Sequence, residues 1–159
     1  MSHKFVSAYS VLQTSLLSEL GTFAGMDPAR HAYLTTLMDY TCKGGKMIRG
    51  KTVCDVAERL TPLRDVKIQE HDVAIAAAAC GWGVEFMQAH FLIEDDIMDR
   101  SITRRDQPCW YNLPGVGFQK GINDGLIVQC HPQTAEVSRG TAGDQFQQGQ
   151  KESVHIHIL

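Results

Sequence analysis

One long apolar segment, free of proline and followed by an acidic cluster, limits the fold more than any other feature of this sequence. Residues 73–93 are mostly apolar and rich in alanine, and the next three residues, 94–96, are all acidic. The segment is long enough to span a membrane. However, Glu85 and His90 lie inside it, and polar groups at mid-span are costly in lipid. The pattern therefore favours a helix buried in a large helical core, which we predict over 71–99.

The rest of the chain up to residue 122 also has helical patterning. Asp27 and Pro28 read as an N-cap followed by a first-turn proline, a common start for a helix. Gly44 and Gly45 break that helix, and no strand-like alternation of useful length precedes residue 122. We predict an all-α fold with helices over 5–20, from Pro28 to the diglycine, over 47–60 and over 71–99. Gly21 is expected to end the first helix, and 101–121 to be irregular.

Composition narrows the class of protein. With 15 basic and 18 acidic residues the net charge is −3, which argues against a general nucleic-acid binder. The five cysteines are scattered without a CxxC pair, which excludes a zinc ribbon and disfavours a secreted disulfide scaffold. The N-terminus shows no signal-peptide pattern. A length of 159 residues suits one domain, and we expect a cytoplasmic protein without a membrane span.

The composition changes after Val128. Residues 129–159 contain six glutamines and three glycines, and they show neither a clear helical stripe nor a sustained strand pattern. Chain ends of this kind are often poorly ordered. We therefore divide the chain into a helical region, 1–128, and a loosely structured tail, 129–159.

The strongest chemical signal is the acidic run at the end of the long predicted helix. Asp95 and Asp99 are four residues apart and share one helix face. Two carboxylates held together repel each other unless a cation neutralises them. Carboxylates with room for water and phosphate oxygens suit Mg²⁺. Asp96 lies about 100° around the helix and is the weaker ligand candidate. The alternative is a solvated acidic helix end.

Two basic groups accompany the acidic run. Arg104 and Arg105 follow it in a predicted loop, where adjacent guanidinium groups can hold phosphate oxygens. Lys46 and Arg49 are three residues apart at the start of a predicted helix, whose N-terminal N–H groups also attract anions. Carboxylates, a divalent metal and arginines together suit a diphosphate. The alternatives are a surface salt-bridge cluster and a plain helix–turn–helix with surface charges.

The helix face that carries the acids also carries amide and apolar side chains. Gln88, Phe91 and Leu92 lie one to two turns before Asp95. A polar mouth above an apolar, aromatic floor would suit a substrate with a diphosphate head and a hydrocarbon tail. The alternative is that Phe91 and Leu92 are ordinary core residues, and for Leu92 the core is the favoured prediction.

In their order and spacing these motifs resemble a known family. The run FMQAHFLIEDDIMDRSITRRDQPCWY follows GGKMIRG and precedes PGV and INDG. Together they resemble the farnesyl diphosphate synthases, trans-prenyltransferases of the polyprenyl synthase family, over about residues 5–128. The resemblance implies the N-terminal portion of an isoprenoid-synthase-type helical bundle. It also implies an enzyme that condenses isopentenyl diphosphate with an allylic diphosphate, either dimethylallyl or geranyl.

The resemblance further implies roles for individual residues. Asp95 and Asp99 would hold Mg²⁺ on the allylic diphosphate, with Asp96 in support. Arg104 would contact the same diphosphate, and together with Asp95 and Asp99 it forms the implied catalytic set. The residues implied to contact isopentenyl diphosphate are Lys46, Arg49, Gln88 and Arg105. The residues implied to limit the product chain length are His90 and Phe91.

The chain also departs from the family pattern. The family needs a second aspartate-rich motif in its C-terminal half, and none can be placed after Val128. Lys43 precedes the diglycine, and Asp106 stands where glycine usually follows the arginine pair. We expect little or no turnover by this chain alone, and a homodimer where the bundle is complete.

Three interpretations remain open from the sequence. The first is a prenyltransferase represented by its N-terminal part. The second is a non-catalytic module that binds a diphosphate or forms a dimer with a regulatory role. The third is a helical structural domain whose charged motifs are only surface features.

Overall fold

The computed structural model describes residues 2–63 and 70–133, which form a helical structure with one very short hairpin. The helices are α1 (Ser2–Ala24), α2 (Pro28–Cys42), α3 (Ile48–Leu60), α4 (Glu70–Met98) and α5 (Gly117–Gln133). The antiparallel strands of the hairpin are β1 (Thr103–Arg104) and β2 (Gln107–Pro108). Short 3-10 turns occupy Thr61–Leu63 and Trp110–Asn112. The predicted all-α class is confirmed.

The first helix ends later than predicted. α1 continues through Gly21 to Ala24, and the residue in the left-handed region is Gly25, with a φ of 60°. The Gly25 N–H donates to the Gly21 carbonyl at 3.1 Å, so Gly25 terminates the helix, a common role for glycine. Gly21 only lowers helix propensity, by about 1 kcal/mol relative to alanine. The Asp27 cap is as predicted, since its carboxylate accepts from the Arg30 N–H at 2.9 Å.

The stretch over 101–121, predicted to be irregular, contains the β1–β2 hairpin, a 3-10 turn and the start of α5. α5 then runs through the predicted boundary at 128 as far as Gln133. The rest of the predicted tail, 134–159, lies outside the described residues. The division of the chain at 128 therefore stays a prediction.

α4 lies at the centre of the core. Its buried side chains join those of α1, α2 and α5 in one apolar cluster. The Trp82 ring stacks on Phe5 with centroids 4.8 Å apart, and its indole N–H donates to the Phe5 carbonyl at 2.7 Å. A buried tryptophan placed in this way contributes apolar area while its polar group stays satisfied. No helix within 2–63 or 70–133 combines the length and the hydropathy of a membrane span.

α3 crosses α4 at two glycines. A Cβ atom added to Gly81 would lie 2.7 Å from the Gly50 carbonyl oxygen, and one added to Gly50 would overlap the Phe5 ring. Glycine, which lacks a Cβ, allows this close approach of two backbones. The Gly50 N–H also donates to the Glu85 carboxylate at 2.8 Å. The crossing thus holds the start of α3, and with it the GGKMIRG segment, against the middle of α4.

Candidate functional site

A cleft of about 110 Å³ lies where the C-terminal end of α2, the second half of α4 and the β1–β2 hairpin meet. Its apolar lining comes partly from Ala89, Leu92 and Ile93 of α4. The polar and aromatic residues that line it are Tyr40, Thr41, Lys43, Arg104, Arg105, Gln107 and Trp110. Because three of these side chains are cationic, the cleft is suited to an anion.

The hairpin presents both arginines from a tight turn. Arg105 and Asp106 have φ angles of 55° and 62°, and a two-residue type I′ turn requires positive φ at both positions. The Tyr40 hydroxyl donates to the Pro108 carbonyl at 2.8 Å. This bond ties the hairpin to α2, so Arg104 and Arg105 face the cleft from a fixed support.

Arg104 connects the hairpin to the acidic end of α4. Its Nε donates to both carboxylate oxygens of Asp96 at 2.9 Å. Its Nη2 lies 2.8 Å from Asp96 Oδ1 and 3.1 Å from Asp95 Oδ2. Asp96 is only 4% exposed, so the guanidinium compensates a carboxylate that has lost its water. The hydrogen bonds to Asp96, reinforced by the charges of both acids, raise the pKa of Arg104 above its ordinary value.

Cys109 is buried beside Asp96. Burial, followed by the hydrogen bond to Asp96 and the charge of Asp96, raises the pKa of the Cys109 thiol to about 11. The thiolate is the nucleophilic form of cysteine, and this thiol is protonated near neutral pH. Cys109 therefore contributes packing and hydrogen bonding to the site.

Arg105 is held by backbone groups. Its Nη1 donates to the Lys43 carbonyl at 2.9 Å. A Cβ atom on Gly45 would lie 2.8 Å from Arg105 Nη2, so the guanidinium rests on the bare backbone of the diglycine. No carboxylate in the described part of the chain pairs with Arg105. Its charge is therefore available to an anion in the cleft.

Asp95 and Asp99 are the solvent-exposed carboxylates at the end of α4. Asp99 follows the last helical residue, yet its N–H still donates to the Asp95 carbonyl at 2.9 Å, which keeps both on one helix face. Mg²⁺ is usually held by one or two carboxylates together with water and phosphate oxygens, so this donor set fits the ion. A metal role for Asp96 stays a prediction, because both of its oxygens bond Arg104.

The acidic end of α4 is not a complete metal cage by itself. Within 2–63 and 70–133, no three histidine, cysteine, aspartate or glutamate side chains form a cluster that could hold a metal ion. A cation bound by Asp95 and Asp99 therefore needs oxygen atoms from water or from a ligand.

The other residues predicted to bind substrate lie outside the lining of the cleft. Lys46 and Arg49 are exposed around the first turn of α3, and Gln88 is half-buried on α4. The Lys46 carbonyl accepts from the Lys51 ammonium group at 3.0 Å. The binding roles of these three residues stay predictions.

The two residues predicted to limit chain length have different surroundings. His90 is buried, and its Nδ1 lies 3.0 Å from the Gly125 carbonyl of α5. Phe91 is 53% exposed. Leu92, predicted to belong to the core, is only half-buried and lines the cleft. The chain-length role of His90 and Phe91 stays a prediction.

The sequence reasoning missed two supports of the cleft. Lys43 lines it and forms a salt bridge with Asp39 at 2.7 Å. Trp110, also in the lining, donates its indole N–H to the buried Asp124 at 2.8 Å, and the Tyr33 hydroxyl donates to the same carboxylate oxygen. Their signals in the sequence were slight: a lysine directly before the diglycine, and an acid within INDG.

Comparison with known sequences connects this geometry to a family. Residues 31–141, more than half of the chain, match the family model described as polyprenyl synthetase. Farnesyl pyrophosphate synthase 1, mitochondrial, from Arabidopsis thaliana is 40% identical over 127 residues, or 80% of this chain and 32% of the relative. Farnesyl pyrophosphate synthase from Panax ginseng is 40% identical over 128 residues, or 80% and 36%. The chain spans about a third of the length of the curated relatives it matches, in their N-terminal part.

Solved structures show the same likeness in three dimensions. The crystal structure of T. brucei farnesyl diphosphate synthase is 49% identical, with a TM-score of 0.77 over 82% of this chain and 36% of that chain. The same enzyme complexed with a bisphosphonate is 48% identical, with a TM-score of 0.78 over 82% and 37%. The helical arrangement described above is therefore one that solved structures contain.

Proposed function

This chain belongs to the polyprenyl synthetase family, and from that premise we propose that it represents the diphosphate-binding part of a farnesyl diphosphate synthase. The proposed reaction condenses isopentenyl diphosphate with dimethylallyl or geranyl diphosphate in isoprenoid biosynthesis and releases inorganic pyrophosphate. The names of the relatives support the product. The bisphosphonate complex of the T. brucei enzyme supports a ligand with two phosphorus-centred anions.

The observation that carries this proposal is the position of Arg104. Its guanidinium lines the cleft and also reaches the acidic end of α4, 3.1 Å from Asp95. A ligand that bonds Arg104 and Arg105 in the cleft is thereby brought beside the exposed carboxylates of Asp95 and Asp99. Cations on one side and a carboxylate pair on the other suit a diphosphate that carries a divalent ion.

Asp95 and Asp99 are the proposed ligands of Mg²⁺, the cofactor of this activity. Bound there, the ion would neutralise the negative charge that develops on the departing diphosphate. Asp96 has a different proposed task, because its buried carboxylate bonds Arg104 twice. It positions the arginine, and Arg104 in turn contacts the allylic diphosphate.

The Arg104–Asp95 contact predicts that metal and anion assist each other. Arg104 Nη2 forms an ion pair with Asp95 in the structure described, and so competes with a cation for that carboxylate. An anion in the cleft attracts the guanidinium and leaves Asp95 to the metal. Mg²⁺ and pyrophosphate are therefore expected to bind more tightly together than separately, with equal factors in both directions.

Lys46, Arg49, Gln88 and Arg105 are the proposed contacts for isopentenyl diphosphate. His90 and Phe91 are the proposed limits on chain length, with a C15 product. Arg105 has the clearest support, since it lines the cleft and pairs with no described carboxylate. The proposed compartment is the cytoplasm, because the scattered thiols of the sequence suit reducing conditions.

Calorimetric titration with pyrophosphate in the presence of Mg²⁺ tests the binding part of the proposal. We expect binding by the wild type, and a loss of about tenfold or more in Asp95→Ala and in Arg104→Gln, because each removes a charge-assisted contact. Asp55→Asn is the matched control, since Asp55 is exposed on α3 and does not line the cleft. Equal affinities in all four proteins would eliminate the proposal.

Turnover is tested separately, with labelled isopentenyl diphosphate, geranyl diphosphate and Mg²⁺. The 159-residue chain is expected to form little or no C15 product, because the second aspartate-rich motif that the family pattern requires cannot be placed in its sequence. Abundant product that disappears in Asp95→Ala would show that this expectation is wrong and that these residues suffice.

A non-catalytic, dimerising or regulatory module is a second candidate, favoured by one observation. α4 and α5 carry large apolar side chains that are between 42% and 74% exposed: Met87, Phe91, Met98, Phe118, Ile122 and Leu126. Exposed apolar groups in this number are typical of surfaces that another element covers. Light scattering on the purified chain tests the dimerising part of this second candidate: a stable dimer of the 159-residue chain favours it, and a monomer opposes it.

A further inference from the structure

One carboxylate oxygen close to the cleft collects three hydrogen-bond donors. Asp39 Oδ1 accepts from the Tyr9 hydroxyl at 2.9 Å, from Gln13 Nε2 at 2.9 Å and from Lys43 Nζ at 2.7 Å. Tyr9 is buried, and Gln13 also donates to the Thr35 carbonyl at 3.3 Å. The donors come from α1 and from the residue that follows α2, so Asp39 is fixed by neighbours on two sides.

Lys43 is anchored to Asp39 twice. Its ammonium bonds the Asp39 carboxylate, and its N–H donates to the Asp39 carbonyl at 3.3 Å. The ammonium also lies 4.7 Å from the centre of the Tyr9 ring, within the range of a cation–π contact. Lys43 is the C-cap of α2 and has an extended backbone. With both ends held, the direction of its carbonyl group is set.

That carbonyl is the group that holds Arg105. Arg105 Nη1 donates to it at 2.9 Å, while Gly45 provides the surface on which the guanidinium lies. Arg105 therefore reaches the cleft in an orientation that depends on Lys43. A guanidinium presents its donors as a rigid planar fork, so a change in its tilt changes which oxygens it can bond.

We propose that Asp39 is a positioning residue for the anion-binding cleft, acting through Lys43 to orient the Arg105 guanidinium. This inference rests on the function proposed above and names a support that no motif marks. Asp39 stands 66 positions before Arg105 in the chain and has no need to touch the ligand.

A purely electrostatic role makes the opposite prediction. Removing a negative charge near the cleft frees the Lys43 ammonium, so by charge alone Asp39→Asn should bind an anion more tightly. Loss of positioning should make Asp39→Asn bind it more weakly. The sign of the change in affinity therefore separates the two roles.

The first experiment measures pyrophosphate binding with Mg²⁺ by calorimetry in a double-mutant cycle of Asp39→Asn and Arg105→Gln. We expect a loss of about tenfold or more in Arg105→Gln, the size of a charge-assisted bond. Asp39→Asn should lower the pyrophosphate affinity about threefold to tenfold in the wild-type background and leave it unchanged in the Arg105→Gln background. The two effects should not add, because both residues act through the same contact.

Two outcomes of the cycle overturn the proposal. Tighter binding by Asp39→Asn would assign it a charge effect, and an equal loss in both backgrounds would assign it a general structural effect. Asp55→Asn, an exposed acid outside the cleft lining, is the matched control and should bind as the wild type does. Far-UV circular dichroism establishes that each variant keeps its helices.

A second experiment needs no ligand, so it stays decisive if pyrophosphate fails to bind and the proposed function is wrong. Nitrogen NMR of the arginine side chains measures rotation of the Arg105 guanidinium about its Nε–Cζ bond, with Arg105→Gln used to assign the signal. Positioning predicts rotation several-fold faster in Asp39→Asn than in wild type or Asp55→Asn. Unchanged rotation would remove Asp39 from the support of Arg105.

Discussion

The two halves of α4 are stabilised by different forces. In the first half the helix packs by shape, since Gly81 lies against the Gly50 carbonyl and Trp82 stacks on Phe5. At the other end the contacts are polar, and the buried Asp96 carboxylate receives the Arg104 guanidinium. Close packing tolerates no added volume, whereas a polar contact tolerates no lost partner.

Stability and function should be separable at one end of α4 and coupled at the other. A change at the glycine crossing affects how α3 and α4 approach each other and should act on stability first. A change at the polar end affects an arginine that lines the cleft, so it acts on stability and on binding together.

A substitution at the crossing of Gly50 and Gly81 should give the largest loss of stability. In Gly81→Ala the new Cβ would lie 2.7 Å from the Gly50 carbonyl oxygen and 2.9 Å from the Phe5 ring, so backbone has to move. We expect a loss of about 3 kcal/mol in the free energy of unfolding, the upper range for overpacking. Chemical denaturation measured by circular dichroism provides the value.

Gly21→Ala is the matched control for that substitution. Gly21 also lies within a helix, but no atom of the described residues comes within 4 Å of its Cβ position. Alanine should therefore stabilise the chain by about 0.5–1 kcal/mol through helix propensity alone. If both variants change stability in the same direction, the close approach at Gly81 does not control the crossing.

A substitution in the ion pair of Asp96 and Arg104, at the C-terminal end of α4, should lower stability by a smaller amount. Asp96→Asn removes the charge that compensates Arg104 and leaves buried polar atoms with poorer partners. We expect a loss of about 1–3 kcal/mol, measured by the same denaturation. Asp99→Asn serves as the control, because Asp99 is exposed and should change stability by less than about 0.5 kcal/mol. A neutral Asp96→Asn would contradict the structural role of the ion pair.

The hydrogen bonds that Asp39 accepts from Tyr9, Gln13 and Lys43 should make stability depend on pH. Partial burial acts to raise the pKa of Asp39, but hydrogen bonds from Lys43, Gln13 and Tyr9 outweigh it, so the pKa lies below its ordinary 3.8. The stabilisation is therefore complete above that ordinary value and is lost as the pH falls through the lowered pKa.

Comparison of wild type with Asp39→Asn isolates this contribution. The side chain is 40% exposed, so the difference in stability near pH 7 should be at most about 1 kcal/mol. It should disappear in acid below the lowered pKa. A difference that is constant across the whole titration would show that Asp39 contributes by a route other than its charge.

A substitution in the hairpin turn should change stability least. Asp106 has a φ of 62°, in the left-handed region that glycine adopts without a Cβ penalty. We expect Asp106→Gly to stabilise the chain by about 0.5 kcal/mol. Gln107→Gly, in the adjacent strand, should destabilise it by a similar amount, about 0.5–1 kcal/mol. Thermal unfolding of both variants checks the opposite signs.

Much of the fold could be predicted from local patterns. The Asp27 cap and the long α4 both depend on residues within a few turns of one another, and the structure agrees with them. The predicted end of α1 was wrong because a glycine within a helix and a glycine at its C-terminal end look alike in a sequence. Only the φ of Gly25 distinguishes them.

The arrangement of the candidate site could also be predicted in part, again from local spacing. Asp95, Asp99 and the arginine pair lie within a short stretch, so their proximity could be inferred from spacing. The bond from Arg105 to Lys43, and that from Tyr33 to Asp124, join residues far apart in sequence. Such long-range contacts cannot be predicted from the periodicity of the sequence.

The all-α class, the acidic helix end and the family could all be predicted from local sequence, because each depends on residues close together along the chain. Which charged groups meet depends on the tertiary structure. It placed Arg104 on Asp96 and Arg105 on the Lys43 carbonyl, and it left Lys46 and Arg49 exposed. The physical reason is that ion pairs and close contacts depend on distances of a few ångströms, which packing between distant segments sets.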